Sequence, residues 1–347
     1  MELVNDNLDL NVDIMQFSGK TIVISGATGL IGQTLIKRCI EYNKILAVPI
    51  NIIALIRNKE KADRVFGKNN RNITYKIGDI SDIDLNDIQA DYIVHTASQT
   101  SSVGFVEKPI ETIMISIDGT KKMLEYAKTQ KNLKKFIFLS TMEVYGAPQT
   151  DLKIAENYSS DLDTMDVRSC YPESKRLCEN LCVAYMKEFG VPINVLRLTQ
   201  TFGEGVKYND RRVFAEFARC VIEKRNIVLK TKGQTERNYL YTEDAVNAIL
   251  LTMYKANIGE AYNVANEDTY CSIVGLAELV ANKIAGGEIK VIIQEQDTAK
   301  LGYASTLHMN LDTSKIRKLG WLPEHDLEYM FKKMIQDMQC RKYETER

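Results

Sequence analysis

Short runs of β-branched and other apolar residues recur along the chain at 21–25, 50–56, 73–77, 92–96, 136–140 and 193–198. Each has the length of a buried strand. Between most of them lie amphipathic stretches long enough to form a helix. Strand, crossover and strand, repeated, predict a parallel sheet covered on both faces, because parallel neighbours need a long return connection. The expected architecture is therefore α/β, a doubly wound parallel sheet.

Past Leu198 the rhythm loosens. TFGEGVKYNDRR is rich in glycine and charge, and the apolar runs at 227–229 and 289–293 are short and isolated. This predicts a smaller second lobe. EDAVNAILLTMY then reads as an amphipathic helix and AYNVAN as an edge strand returning to the main sheet, so the lobes interleave. The expected organisation is an N-terminal extension at 1–17, a main unit at 18–198 and 238–265, and a substrate-binding lobe with C-terminal helices at 199–237 and 266–347.

Composition narrows the function classes. Of 347 residues, 45 are Lys or Arg and 46 Asp or Glu, which leaves no global field for nucleic acid. The seven cysteines form no C-x-x-C pair and there are only three histidines, so no metal-ligand spacing appears. A scattered, odd set of thiols fits a reducing cytoplasm. The first residues, MELVNDNLDLNVDIMQFSGK, are acidic where a signal peptide is basic, and no run approaches a membrane span. No membrane partner is expected.

In TIVISGATGLIG, Gly26, Gly29 and Gly32 follow an apolar strand and open a helical pattern. Glycine permits a tight turn and close backbone approach, and the free N–H groups of a helix start attract a pyrophosphate. A dinucleotide fits this chemistry. The G-x-x-G-x-x-G spacing resembles the short-chain dehydrogenase/reductase superfamily, which implies a Rossmann fold and contacts to the cofactor from Gly26, Thr28, Gly29, Leu30, Ile31, Gly32, Ile80 and Ala97. After the second strand, ALIRNKEKADR offers Arg57 where an NAD enzyme offers an acid to the ribose hydroxyls. Arg57 leans towards NADP, by binding a 2′-phosphate, or stacks on adenine. Asp79 in KIGDI matches an adenine-contacting aspartate of the superfamily, with an ordinary turn acid as the alternative.

Tyr171 and Lys175 in CYPESKR are four apart at the start of a helical pattern and so share a face. A nearby ammonium stabilises a phenolate, which then takes a proton from a sugar hydroxyl as hydride leaves its carbon. The same spacing recurs at Tyr329 and Lys333, without a preceding glycine loop. Order separates the copies: glycine loop, strand ending in Ser140-Thr141, then Tyr171 and Lys175, as the superfamily requires. By that order Thr141 supplies the hydroxyl that orients the substrate oxygen.

The motifs GATGLIG, HTAS, DGT, STMEVYG, YPESK, LRLTQTFG, ERNYLYTEDA and LGWLP stand in sequence over roughly residues 18–335. The chain thus resembles the NAD-dependent epimerase/dehydratase group of extended short-chain dehydrogenases, whose members act on nucleotide-linked sugars. Within it, VRSCYPESKR, AYMKEFGV, YNDRRVF and TERNYLYTED are most similar to UDP-glucuronate decarboxylases. That resemblance implies NAD as cofactor, Arg212 and Arg237 as nucleotide or diphosphate contacts, Gln200 in the sugar pocket, Glu143 as a C5 acid/base, and a homodimer paired through helices beside the sheet. The departures are Met142, where relatives carry Ser or Asp, Ser116 and Gln200 in place of Asn, and Gly203-Glu204-Gly205 in place of G-P-R. A thioether moves no proton, so 4,6-dehydration is disfavoured. Decarboxylation through a 4-keto sugar is the leading expectation. Epimerisation, NADPH-dependent keto-sugar reduction and a non-catalytic cofactor-binding role are the alternatives.

Overall fold

A computed structural model describes residues 12–68, 70–99, 102–148, 150, 152–296 and 307–345. Most of the expected extension at 1–17 lies outside them. The main sheet contains β1 (Thr21–Ser25), β2 (Asn51–Ile56), β3 (Ile73–Ile77), β4 (Tyr92–His95), β5 (Lys135–Thr141), β6 (Ile193–Leu198) and, further along the chain, Ala261–Val264. Its seven strands are all parallel, in the order Ala261–Val264, β6, β5, β4, β1, β2, β3. The chain winds outward from β1 to β3, returns beside β1 as β4, and winds outward the other way. The crevice outside the carboxyl ends of β1 and β4 is therefore the switch point where such sheets take ligands.

Helices α1 (Leu30–Asn43), α2 (Lys59–Phe66), α3 (Ser102–Glu107), α4 (Pro109–Thr129) and α5 (Cys170–Phe189) are the crossovers. The strands alternate between two cores, as a sheet covered on both faces must. Ile22, Ile24, Ile137 and Leu139 pack with Leu35 and Ile36 of α1, whereas Val23, Phe136 and Phe138 pack with Met123 and Leu124 of α4 and Cys178 and Cys182 of α5.

The second lobe opens with β7 (Gln200–Phe202), α6 (Val213–Ile222), β8 (Ile227–Leu229) and β9 (Glu236–Tyr241). Then α7 (Thr242–Lys255) packs on α1, and β10 (Ala261–Val264) is the edge strand already placed in the main sheet. The chain continues through β11 (Asn266–Ser272), α8 (Ile273–Leu279), β12 (Val291–Ile293), β13 (His308–Met309), α9 (Ser314–Arg317) and α10 (Leu327–Thr345). Strand β9 pairs with β7, β11 and β13, so the strand on which the expected boundary at residue 238 falls belongs whole to the second sheet. The runs at 227–229 and 289–293, expected to be isolated, pair with each other in parallel as β8 and β12. Strand pairs of high sequence separation leave no local signal, which is why the sequence hides this one. Among the described residues no helix is long and apolar enough to cross a membrane.

The two lobes are tied by a buried acid. Asp244, in the first turn of α7, is fully buried and accepts hydrogen bonds from the backbone N–H groups of Glu324 and His325 and, at 2.8 Å, from His325 Nδ1. Its carbonyl accepts from the indole N–H of the buried Trp321 at 3.0 Å. Burial works against a charged His325 ring, but the hydrogen bond and charge of Asp244 outweigh it and hold the imidazole above its ordinary value. A raised folded value contributes stability in full below the unfolded value of about 6.5 and loses it as pH rises through the folded one. His325→Asn is expected to cost roughly 1–3 kcal/mol at pH 5.5, a charged hydrogen bond's worth, and clearly less at pH 9. Urea unfolding of both proteins at the two pH values checks this, and an equal cost at both would contradict a charged pair.

Candidate active site

The loop between β1 and α1 is built on two close approaches. Gly26 has φ +65°, and a Cβ there would lie 2.5 Å from Thr96 Oγ1 and 2.8 Å from Ala97 N. A Cβ on Gly32 would lie 2.4 Å from the Gly26 carbonyl oxygen. The loop thus presses on the end of β4 with no room for side chains. Gly29 caps α1 with no side-chain hydrogen bond, so Thr28, Leu30, Ile31 and Gly32 surround a helix start whose N–H groups point into the crevice. This cradle fits a pyrophosphate. Beneath it, Ser25 Oγ meets His95 Nδ1 at 2.6 Å, and His95 Nε2 meets Thr120 Oγ1 at 3.2 Å. Burial and the charge of Lys175 push that histidine down to about 3, so it is a neutral brace and not a proton carrier.

On the other side of β4, β5 ends at Thr141, whose Oγ1 accepts from Glu143 N and starts a tight turn over Met142–Tyr145. In a turn of about three residues, positions three apart share a face, so Met142 and Tyr145 go inward together and Glu143 goes to the other side. Met142 is buried. It packs with Ala265, Met309 and Leu311, and its sulfur accepts from Thr199 Oγ1 at 3.3 Å. Glu143 pairs with Arg168 at 3.3 Å, a residue sequence reasoning quoted in its motif but assigned no role. Gly146, at φ +78°, closes the turn, and a Cβ there would lie 2.5 Å from the Asp161 carbonyl oxygen.

Arg168 sits in a one-turn helix over Val167–Ser169 that runs straight into α5, so Tyr171 arrives one turn later beside Thr141 and Glu143. Burial and then the charge of Glu143 push the Tyr171 phenol above its ordinary value. A hydrogen bond from Thr141 and the charges of Arg212 and Arg168 pull the other way. The expected partner, Lys175, lies one turn further along α5. It does share the helix face, but its buried ammonium donates to the Leu139 carbonyl at 2.6 Å and lies 4.1 Å from the Phe138 ring centroid. A buried ammonium needs an acceptor, and the end of β5 supplies one. Phe105, on α3, stacks on Tyr171 with ring centroids 4.3 Å apart and planes 8° apart. No sequence pattern marks that contact, because the two residues lie on different elements.

The remaining expected residues divide. Arg237, central in the second sheet between β11 and β13, has a buried Nε with no hydrogen-bond partner, the sort of atom an anion satisfies. Arg212 turns its fork on Asp210, at 2.7 Å from Nη2. Asp79 is engaged by Ser81 N and Oγ, an ordinary turn of its type, while Ile80 packs under Gly119. Gln200 begins β7 opposite Tyr239. Ser116 donates back to the Thr112 carbonyl within α4 and is buried. Tyr329 lies on α10 against Tyr241 and His325, away from the cleft set. A separate cavity of about 220 Å³, lined by Tyr145, Tyr158, Arg176, Glu179 and Arg197 among others, shares no residue with that set. Among the described residues no cluster of three His, Cys, Asp or Glu suits a metal.

Residues 22–265 match the NAD dependent epimerase/dehydratase family. The chain is 29% identical over 326 residues to UDP-glucuronic acid decarboxylase 1 of Xenopus tropicalis, covering 91% of this chain and 71% of that one. Its fold resembles UDP-N-acetylglucosamine 4-epimerase of Methanobrevibacter ruminantium, with TM-score 0.80, 23% identity and 93% and 99% of the two chains covered. It also resembles UDP-glucuronic acid 4-epimerase of Bacillus cereus, solved with UDP-glucuronic acid and NAD, with TM-score 0.76, 20% identity and 92% and 99% covered.

Filling the cradle is the direct test of its role. Gly32→Ala is expected to cost roughly 1–3 kcal/mol in urea unfolding, because the new methyl meets backbone. It should also weaken NAD⁺ binding about tenfold or more by titration calorimetry, since the helix start is pushed off the pyrophosphate. Undiminished affinity would show that the dinucleotide does not use this loop.

Proposed function

Because this chain belongs to the NAD dependent epimerase/dehydratase family, we propose that it is a nicotinamide-dependent enzyme that oxidises a nucleotide-linked sugar acid at C4 and removes its C5 carboxylate. The observation that carries this is the ion pair of Glu143 and Arg168 on the turn that Thr141 caps, one turn before Tyr171 on the helix that Arg168 leads into, with the charges of Glu143, Arg212 and Arg168 acting on that phenol. Relatives over nine-tenths of the chain are UDP-glucuronic acid decarboxylases, which supports a uronate substrate.

Tyr171 acts as the phenolate, the form that Thr141, Arg212 and Arg168 favour against burial, and takes the proton of the C4 hydroxyl, with Thr141 bonded to the same oxygen and fixing its direction. The glycine cradle at Gly26, Gly29 and Gly32 would hold a nicotinamide cofactor, which would supply the reversible hydride exchange at C4. Oxidation makes the sugar a β-keto acid, so the C5 carboxylate leaves as carbon dioxide and its bonding electrons pass into the C4 carbonyl as an enolate. Glu143, anchored by Arg168, relays a proton from water to C5. The unsatisfied Arg237 Nε suits the diphosphate. A second reading, reduction of a keto-sugar by NADPH, is favoured by Arg57 and is distinguished by net consumption of the reduced cofactor.

Supplied with UDP-glucuronate, the enzyme is expected to release carbon dioxide and a UDP-pentose, read by mass spectrometry; neither product would sink the decarboxylation. Tyr171→Phe should lower kcat by roughly 10²- to 10⁴-fold. Glu143→Gln should let reduced nicotinamide accumulate spectroscopically while pentose formation slows.

The subunit arrangement is part of the same proposal. Ile110 and Met114, one turn apart on α4, and Leu177 on the adjoining α5 are exposed apolar side chains, which suits pairing of two copies through these helices. Leu177→Glu is expected to convert dimers to monomers in sedimentation velocity, and a wild-type monomer would rule the pairing out.

A further inference from the structure

Helix α3 is a short piece, SVGFVE, between β4 and α4. A helix of that length does not hold itself, so its place is set by what it is bonded to. The Gly104 carbonyl accepts from the Lys108 N–H at 2.9 Å and from the Thr112 hydroxyl at 3.3 Å, which fastens α3 to α4. The Phe105 carbonyl accepts from Cys170 Sγ at 3.3 Å, which fastens it to the residue before Tyr171. Resting on Tyr171 as the group that takes the proton, we propose that Phe105 is a positioning residue for the reaction: its ring sets the plane of the phenol and closes one face of it to water.

Two features separate this role from ordinary core packing. Phe105 lies with Cys170 and Tyr171 in a small cluster against which Ile113 of α4 packs, apart from the cores on the two faces of the main sheet. Phe105 is 3% exposed and Tyr171 7%, whereas Val106, next along α3, is 49% exposed, so the short helix buries this one ring. The contact is also specific in orientation, with ring centroids 4.3 Å apart and planes 8° apart. An aliphatic neighbour would fill the same space and leave the phenol free to tilt. Near-parallel faces fix tilt as well as position, and such a pair favours one orientation roughly two- to tenfold. The phenol oxygen is at the far end of its side chain, so a small swing about the Cα–Cβ bond carries it a long way. A misplacement of about 1 Å costs on the order of a hundredfold in rate.

The stack also has an electrostatic cost. The face of a phenyl ring is negative, and apolar cover adds to the burial that holds the Tyr171 phenol above its ordinary value. Phe105 therefore opposes the phenolate, as the charge of Glu143 does, while Arg212 and Arg168 favour it. What Phe105 contributes is geometry. Removing its flat face should thus move two quantities in opposite senses: the phenolate forms more readily, and it acts less effectively from a less defined place. Loss of packing alone would lower activity without easing ionisation.

Steady-state kinetics of the full chain with UDP-glucuronate and NAD⁺, comparing Phe105→Leu and Phe105→Tyr with wild type, test this. Phe105→Leu keeps apolar bulk and loses the flat face. It is expected to lower kcat about tenfold with KM unchanged, and to move the acid limb of the kcat profile to lower pH. Phe105→Tyr keeps the face and should keep most of the rate. Phe105→Met takes the place of the leucine variant if circular dichroism finds the latter unfolded. An unchanged kcat, an equal loss in Phe105→Tyr, or an acid limb that stays in place overturns the role. A readout free of turnover is the NMR signal of ¹³C-labelled tyrosine, with Tyr171 identified as the signal missing from Tyr171→Phe. Its ring-current shift should be lost in Phe105→Leu. A wild type that does not turn over UDP-glucuronate sinks the decarboxylation alone, and the positioning role then stands or falls on whether that signal moves.

Discussion

The hydroxyl of Thr141 is the constraint on which the site's geometry depends. It accepts the Glu143 N–H and so ends β5 in a tight turn. One atom therefore fixes where the strand stops and which way Glu143 points, and the same hydroxyl works against burial in setting the Tyr171 phenol. A serine in its place would keep the cap and lose the methyl that restricts its rotamer; an alanine would lose the cap. Arg168 completes the arrangement from the other chain segment, because the short helix that carries it is continuous with the one that carries Tyr171.

A second constraint decides how the lobes meet. Adjacent residues at the start of α1 belong to different cores, with Leu30 packing on the second lobe and Ile31 on the main one. The loop at Gly205 lies against Leu30 and Gln33 of the same helix, and its backbone N–H donates to Asp337 of α10 at 2.8 Å. The glycine cradle is thus also the joint between lobes.

The strands of the main sheet were legible in the sequence nearly to the residue, since buried parallel strands are short, apolar and β-branched, and glycines at a helix start announce a phosphate cradle. The edge strand of AYNVAN was legible for the same reason. Pairings across the chain were not: β8 and β12, and Phe105 against Tyr171, leave no local pattern. Side-chain direction was the other blind spot. Spacing put Lys175 on the face of Tyr171, but only the fold shows that the nearest acceptor for its ammonium is the Leu139 carbonyl. Arg168 stood in a quoted motif without a role, because an ion pair to Glu143 joins segments 25 residues apart.

Met142 shows how packing sharpens a chemical inference. Its sequence argument was one of absence: a thioether cannot act as the acid that a 4,6-dehydration needs. The fold adds a positive reason. Position 142 faces inward with Ala265, Met309 and Leu311, so an acid placed there in this chain would be buried among apolar groups with the Thr199 hydroxyl nearby, at a cost of several kcal/mol if ionised and unpaired. The side chain whose charge acts on the phenol is Glu143, held by Arg168, so the single turn that Thr141 caps decides which side chain stands at the phenol and which is buried.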